Sequence, residues 1–488
     1  MLKIKEVLNK KWHIYLIIFG LALVVSVHST LSPLNFTSFL GYDVAVWTNI
    51  AQRIIQGDIM YVDFFDHKGP VLYFIYSFGY MIAKEWGIWL IDIITNIISM
   101  FFVYKISDLI LKDNKKNILI MILSTGLMLC MCLENPCTES LSLPFTLISL
   151  YIFLKFMQQP SSLTKTMCVT TGICFALVLL LRPNLVALWV VFYLYILIAK
   201  IKEKQIKSLM TIILFCLIGA TIVIGITTLY LAINGAMDEF IESYILFNFE
   251  YAADKLYSIP VAVNYFVRQT NAMLVISAVL YIALIIYRDK VEKLDFKILR
   301  ICFIYFVFAL YLVIMPLRPY MHYLYLILPP LIIPIIIFIK LVNFDKKQYI
   351  ITVIAMFVFT IYSAYSYSKL IRENANSEDK LSEVISDVQA FSDSEDNVLV
   401  LGNRTIVYLR AERKYDGKYF FQLPIANQSE EVAKEILDEI NSNYPKLITV
   451  VWTLEKEKDT VTYFETEINN ILNEKYNKVK EGLYLKRE

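Results

Sequence analysis

The chain of 488 residues is short of everything a soluble enzyme usually displays. Charged residues make up 18% of it, histidine occurs four times, and the formal net charge is only +2. That balance gives no electrostatic reason to expect a nucleic-acid partner. The seven cysteines (130, 132, 137, 168, 174, 216, 302) lie mostly in apolar segments. They have neither the CxxC spacing of a metal site nor a disulfide framework, so they read as small core residues. No glycine-rich phosphate loop is present: LGNRT (401–405) is not GxGxxG and lacks the P-loop lysine. No internal repeat is visible. No small-residue cleavage site follows the first apolar run, WHIYLIIFGLALVVSV, although Lys3, Lys5, Lys10 and Lys11 precede it, so the run reads as a retained first helix.

What is abundant is hydrophobicity, at 58% of residues and a mean hydropathy of +0.57. Apolar runs near the length of about 20 residues needed for one crossing recur from 13 to 367. They predict spans at 13–30, 88–110, 117–133, 139–157, 166–181, 185–200, 208–232, 270–287, 299–315, 322–341 and 348–367. The fold class expected is an all-α polytopic membrane protein of about eleven spans. Segment 69–83 is apolar enough for another crossing, but charge placement argues against it. If it does not cross, the basic loops 112–117, 198–207, 287–297 and 343–348 share the N-terminal, cytoplasmic side, and the acidic 236–244 lies opposite. It is therefore expected to be re-entrant or interfacial.

Two external helices are expected in the interface. In 43–56, Val44, Trp47, Ile50, Ala51, Ile54 and Ile55 recur at helical spacing, with Asp43 at the N-cap position and Gly57 at the stop. In 238–251, Phe240, Tyr244, Phe247 and Tyr251 fall together and could simply anchor at the headgroups. From residue 369 the composition turns polar. NVLVLG (397–402) and KLITVVW (446–452) read as buried strands around the amphipathic 430–440, and 463–476 reads as a helix before a final strand. The organisation expected is a transmembrane domain over 1–368 and a small extracytoplasmic α/β domain over 369–488.

Polar residues concentrate in GYDVAVWTNIAQRIIQGDIMYVDFFDHKGPVLYF (41–74). Its loop runs Tyr61-Val-Asp63-Phe-Phe-Asp66-His67-Lys68-Gly69-Pro70. The same face gains Glu134 and Glu139 from ENPCTESLSLPF, Arg182 from LLLRPN, and Arg318, Tyr320 and His322 from LRPYMHY. A carboxylate there can take a proton from an acceptor hydroxyl. Cations can hold a departing phosphate, arginine through its fork of donors. Singly, each residue has a plain structural role open to it. Asp43 can cap a helix, Lys68 and Arg182 can snorkel, and Glu139 suits a helix start.

Taken together and in order, these segments resemble the membrane glycosyltransferases of the GT-C class. They are most similar to the bacterial dolichyl-phosphate-mannose-protein-mannosyltransferase-like family that includes the lipid A aminoarabinose transferases. The resemblance covers residues 10 to 340. It implies a sugar transferred from a polyprenyl-phosphate donor to an envelope acceptor (polysaccharide, teichoic-acid-like polymer, lipid or protein) at the outer face of the plasma membrane, with inversion. It assigns Asp43 as the base, matching the family's acid at the start of the first external helix. Asp66, His67, Lys68, Gly69 and Pro70 match the family's Asp-His-Lys motif, and Glu139 its second external acid. Lys68, Arg182 and Arg318 would hold phosphate, His67 and Tyr61 would shape the pocket, and Asp63, Tyr320 and His322 would complete substrate binding. The sequence departs from the family in having no paired acid beside Asp43 and no tight Asp-x-Asp, so no cofactor is predicted and a divalent cation stays open as the alternative; Glu139 would orient the acceptor or such a cation. The rival readings are a transporter of lipid-linked sugars and a non-catalytic relative that binds the carrier lipid. A transporter predicts charges in mid-span, whereas here they cluster at span ends, with Asp92 the clearest exception.

Overall fold

The computed structural model describes residues 2–34, 40–131, 134–249, 257–377, 379–422, 425–427, 430–451 and 462–487. The described residues of the eleven expected spans fall mainly on helix, but among the described residues five helices are long and apolar enough to cross a membrane. They are Pro70–Leu111, Thr138–Gln158, Ile206–Ile233, Lys293–Ile314 and Lys346–Glu373. A sixth exists if Ile259–Gln269 and Met273–Ile286 count as one, and these are bent by 95° at a break where Asn271 and Ala272 both take left-handed φ. The expected count of eleven is thus not met on length. The helix Lys165–Leu179 has 15 residues, about 22 Å at 1.5 Å each. It stops where Pro183 opens a 3-10 turn. Leu328–Leu341 starts only after the 3-10 turn Met321–Leu326. Large apolar side chains stand unburied along the long helices, as with Leu229 at 61% and Ile233 at 75% exposure, or Val358 at 60% and Ile361 at 65%. Faces of that size and polarity need an apolar surrounding, which a bilayer supplies.

The helix Pro70–Leu111 is two helices joined by a sharp reversal. Ala83 and Lys84 have non-helical backbone angles, and Lys84 has φ of 51°. The two arms touch through glycines. A Cβ on Gly87 would stand 1.9 Å from the Gly79 carbonyl, and one on Gly79 would stand 2.9 Å from the Ile88 Cα. In a straight helix positions eight apart are about 12 Å apart along the axis, so the arms must double back. Both ends of the first arm meet the C-terminal region: Phe65 N–H donates to the Lys418 carbonyl (3.0 Å), and Glu85 pairs with Arg410 (3.3 Å). Asp92, on the second arm, is fully buried.

The C-terminal region carries a four-stranded sheet of order β1-β2-β4-β3, with β1 Val398–Leu401, β2 Leu447–Val450, β3 Tyr476–Lys480 and β4 Leu483–Lys486. β1 and β2 are parallel, and the other pairs are antiparallel. The helix Glu430–Asn443 buries Ala433, Ile436, Leu437 and Ile440 on one side. The helix Tyr463–Lys475 is closed by a capping box between Thr462 and Glu465. The sheet's core is continuous with that of the helix Tyr42–Gln56 and the loop after it, since Val44, Trp47 and Phe64 belong to the same hydrophobic cluster as Val398, Tyr408 and Phe420.

Candidate active site

The helix Tyr42–Gln56 does not lie in an interface as expected, because Val44 to Ala51 are all buried against protein. Asn49 Nδ2 donates to the Thr405 carbonyl (2.9 Å), tying the helix to the loop after β1. Asp43 is not the N-cap either. Gly41 holds that place with φ of 89°, and Asp43 sits in the first turn, where a carboxylate complements the helix dipole. The capping acceptor comes from elsewhere in the chain: Glu134 Oε2 accepts the Asp43 backbone N–H (3.0 Å). Asp43 itself is half-buried, and among the described residues its carboxylate accepts no hydrogen bond and forms no ion pair.

The other acids nearby are engaged. Asp58 pairs with Arg53 (2.5 Å), and Asp63 Oδ2 accepts the Ile59 N–H (2.6 Å). Asp66, fully withdrawn from solvent, accepts the Trp47 indole N–H (3.2 Å) and the His67 backbone N–H (2.7 Å). Burial raises its carboxyl above the usual range, with the Lys68 ammonium acting against that. Lys68 Nζ donates to His67 Nε2 (2.7 Å), which puts the ring proton on Nδ1, 3.7 Å from Asp66 Oδ1. Burial first, then the cations Lys68, Arg182 and Arg318, hold His67 well below 6.5, so the ring is neutral. Tyr61, at φ of 67° and fully buried, donates its hydroxyl to the Lys68 carbonyl (2.8 Å), and Tyr73 does the same (3.2 Å). Tyr61 therefore fixes the loop's shape from behind.

Gly69 joins this loop to the Arg182 segment. Its N–H donates to the Leu181 carbonyl (3.2 Å), and Val71 N–H donates to the Leu180 carbonyl (3.3 Å). A Cβ at position 69 would stand 1.8 Å from the Leu180 oxygen, so only glycine permits the approach. Arg182 then pairs with Glu139, donates to the Tyr323 hydroxyl (2.7 Å) and lies 4.5 Å over the Tyr323 ring. Glu139, 1% exposed, also accepts from the Thr138 hydroxyl (2.7 Å). The Tyr320 and His322 rings stack parallel at 5.6 Å.

Several of these groups border one cavity of about 400 Å³. Of the residues singled out from sequence, Asp43, Asp66, His67, Lys68, Arg182, Tyr320 and His322 line it. Tyr61, Asp63, Glu139 and Arg318 do not, and Arg318 is buried behind the wall. Glu134, placed on this face from sequence, lines it too, and the wall has further members that the sequence did not mark as site residues: Tyr42 and Trp47 from the helix Tyr42–Gln56, Phe247 from the segment that follows Phe240, and Tyr265 from Ile259–Gln269. Phe247, at 7% exposure, is packed on Phe65 and so is no headgroup anchor; Tyr251 lies outside the described residues. Asn403, Phe421 and Ile425 come from the C-terminal region, and the neighbouring Arg404 guanidinium lies 4.2 Å over the Tyr42 ring. The only prior signal for Asn403 was its place in LGNRT, directly after a predicted buried strand. Among the described residues no three His, Cys, Asp or Glu side chains gather as metal ligands. The described cysteines are free thiols, mostly buried. The cavity combines one unengaged carboxylate, two cations and aromatic walls.

No curated protein matches the chain. Among solved structures, an oligosaccharyltransferase of Archaeoglobus fulgidus aligns over 90% of this chain and 68% of its own, at 13% identity and a TM-score of 0.34. That likeness is too distant to carry fold or chemistry across. The family model for the N-terminal domain of the competence-induced protein Ccs4 matches residues 5–359. That match takes in Asp43, the Asp66-His67-Lys68 loop, Arg182 and His322, and stops short of the sheet. On a match of this extent, over residues 5–359, the chain belongs to the competence-induced Ccs4 N-terminal domain family.

Proposed function

We propose that this protein is an integral membrane glycosyltransferase of GT-C type that moves a sugar from a polyprenyl-phosphate carrier to a hydroxyl of a cell-envelope acceptor. In this reading residues 1–368 form the transmembrane transferase domain and 369–488 face outward. The observation that carries it is the unengaged Asp43 carboxylate opening onto the same cavity as Lys68 and Arg182. The acceptor oxygen attacks the anomeric carbon with its lone pair, and its proton passes to Asp43. The bond from that carbon to the phosphate oxygen breaks, its electrons remain on the polyprenyl phosphate, and the sugar inverts. Negative charge grows on the leaving phosphate, where Lys68 and the Arg182 fork offer donors in a partly dry site. The neutral His67 leaves the Lys68 charge undiminished. Tyr42, Trp47 and Tyr320 supply faces on which sugar rings can pack.

The test is mass analysis of envelope glycans from strains with and without this protein, alongside a measurement of carrier flipping. Loss of a defined sugar increment with flipping intact is the expected result. Unchanged glycans, or lipid-linked sugar trapped on the inner leaflet, would overturn the reading and favour a transporter.

A further inference from the structure

A second cavity, of about 210 Å³, lies across Met321 from the first, and Met321 lines both. It sits where the sharply bent pair Ile259–Gln269 and Met273–Ile286 meets Asn114–Met131 and the far end of Lys346–Ser377. A gap between lipid-facing helices would be lined by aliphatic side chains. This one is lined by Arg268, Asn271, Ser363, Ser366 and Tyr367 among others. Asn271 Nδ2 donates to Cys130 Sγ (3.3 Å), and Cys130 Sγ donates to Ser363 Oγ (3.2 Å), a hydrogen-bond chain that ties the turn of the bent pair to two helices along its wall. Arg268 is exposed, and among the described residues it has no carboxylate partner. Exposed apolar side chains stand on the elements that line it: Val261, at heptad spacing from Arg268 on its own helix, and Ile361 and Tyr362 on the helix Lys346–Ser377.

A lone arginine at a membrane edge ordinarily snorkels to water. Here the cation is set beside a polar recess with hydrocarbon-compatible rims, which is the pattern a phosphate on an aliphatic tail would complement. We infer that this recess binds a lipid-borne phosphate through Arg268, with the tail along the exposed faces of the flanking helices. Its wall is shared with the cavity in which, on the proposed function, a polyprenyl phosphate is released. The lipid is therefore that spent carrier, held after the sugar has left it. This last step rests on the transferase reading, whereas the phosphate recess does not.

Purified, delipidated protein is titrated separately with undecaprenyl phosphate, phosphatidylglycerol and inorganic phosphate, and occupancy is read by native mass spectrometry. Wild type should hold two undecaprenyl phosphates. Arg268→Ala should hold one, with affinity at the second site down about tenfold or more, the usual scale for losing a charged hydrogen bond. Arg268→Lys should fall between. Lys68→Ala should lose the other molecule and keep the Arg268-dependent one. Two molecules retained in Arg268→Ala would overturn the proposal, as would a single wild-type site abolished by Lys68→Ala. A single site abolished only by Arg268→Ala would keep the recess and sink the donor cavity instead. Phosphatidylglycerol or inorganic phosphate competing equally at the Arg268 site would overturn the carrier assignment.

Discussion

Replacing Asp43 with asparagine separates chemistry from architecture, because the structure assigns Asp43 little architectural work. The N-cap is Gly41, and the acceptor for the Asp43 backbone N–H is Glu134, so both survive the change. No hydrogen bond to the carboxylate is lost among the described residues. What disappears is one negative charge in the first turn of the helix, worth about 0.3–1 kcal/mol. A general base contributes about 10²–10⁴-fold in rate. At 1.36 kcal/mol per decade that is about 2.7–5.4 kcal/mol of barrier. The two effects do not overlap in size. Asp43→Asn should therefore insert, bind donor lipid and melt within a few degrees of wild type, yet transfer sugar at least about 100-fold more slowly. The assay compares purified proteins at matched concentration for release of polyprenyl phosphate from a polyprenyl-phosphate-linked sugar, with thermal midpoint and donor binding measured on the same preparations. Near-normal turnover would refute the assignment. The base would then have to be sought among acids that the fold already engages.

Other expectations follow from the same geometry. Arg182→Gln leaves Glu139 buried without its cation and should destabilise the protein by about 3–5 kcal/mol. Adding Glu139→Gln should restore much of the thermal midpoint but none of the phosphate binding, and a double variant that regains activity would remove Arg182 from the site. His67 has its folded pKa depressed below 6.5, so its contribution to stability is present above that pH and is lost as pH falls toward the folded value. The thermal midpoint of wild type should thus drop between about pH 6.5 and 5 more steeply than that of His67→Asn, and parallel curves would contradict the neutral-ring assignment. A reporter fused after residue 375 should be active only outside the cytoplasm, as the sorting of basic loops requires; activity confined to the cytoplasm would overturn the outward-facing site.

Periodicity carried the reading of where helices lie, because long apolar runs and amphipathic faces depend on local sequence. The strands Val398–Leu401 and Leu447–Val450 and the helix stop at Gly57 were legible for the same reason. β3 was missed, since its pattern is one buried residue followed by four exposed ones. The segment 69–83 was set apart from the span 88–110, and the break falls at Ala83–Lys84; the sharpness of the reversal was not legible, since no proline or glycine stands at the break and Gly79 and Gly87 matter only once the arms touch. Asp43 looked like a cap because an acid at a helix start usually is one. The true partner, Glu134, is 91 residues away, and no local rule could have paired them. Glu139 was likewise legible as a helix-start acid but not as the partner of Arg182, 43 residues on. The C-terminal wall was invisible to motif reasoning, since Asn403 acts through where β1 delivers it.

The contact at Gly69 also bears on how such a protein can diversify. The main chain of residues 69–71 is hydrogen-bonded to that of 180–181, with no room for a side chain between them. The approach of the segments that carry Lys68 and Arg182 is thus set by backbone contact rather than by side-chain packing. A lineage acquiring a new sugar or acceptor would find this side of the cavity closed to gradual change. Tyr320, His322, Asn403 and Phe421, on other segments, carry no such constraint from Gly69. On the transferase reading, variation in what is transferred should accumulate there, while the side held by Gly69 stays as it is.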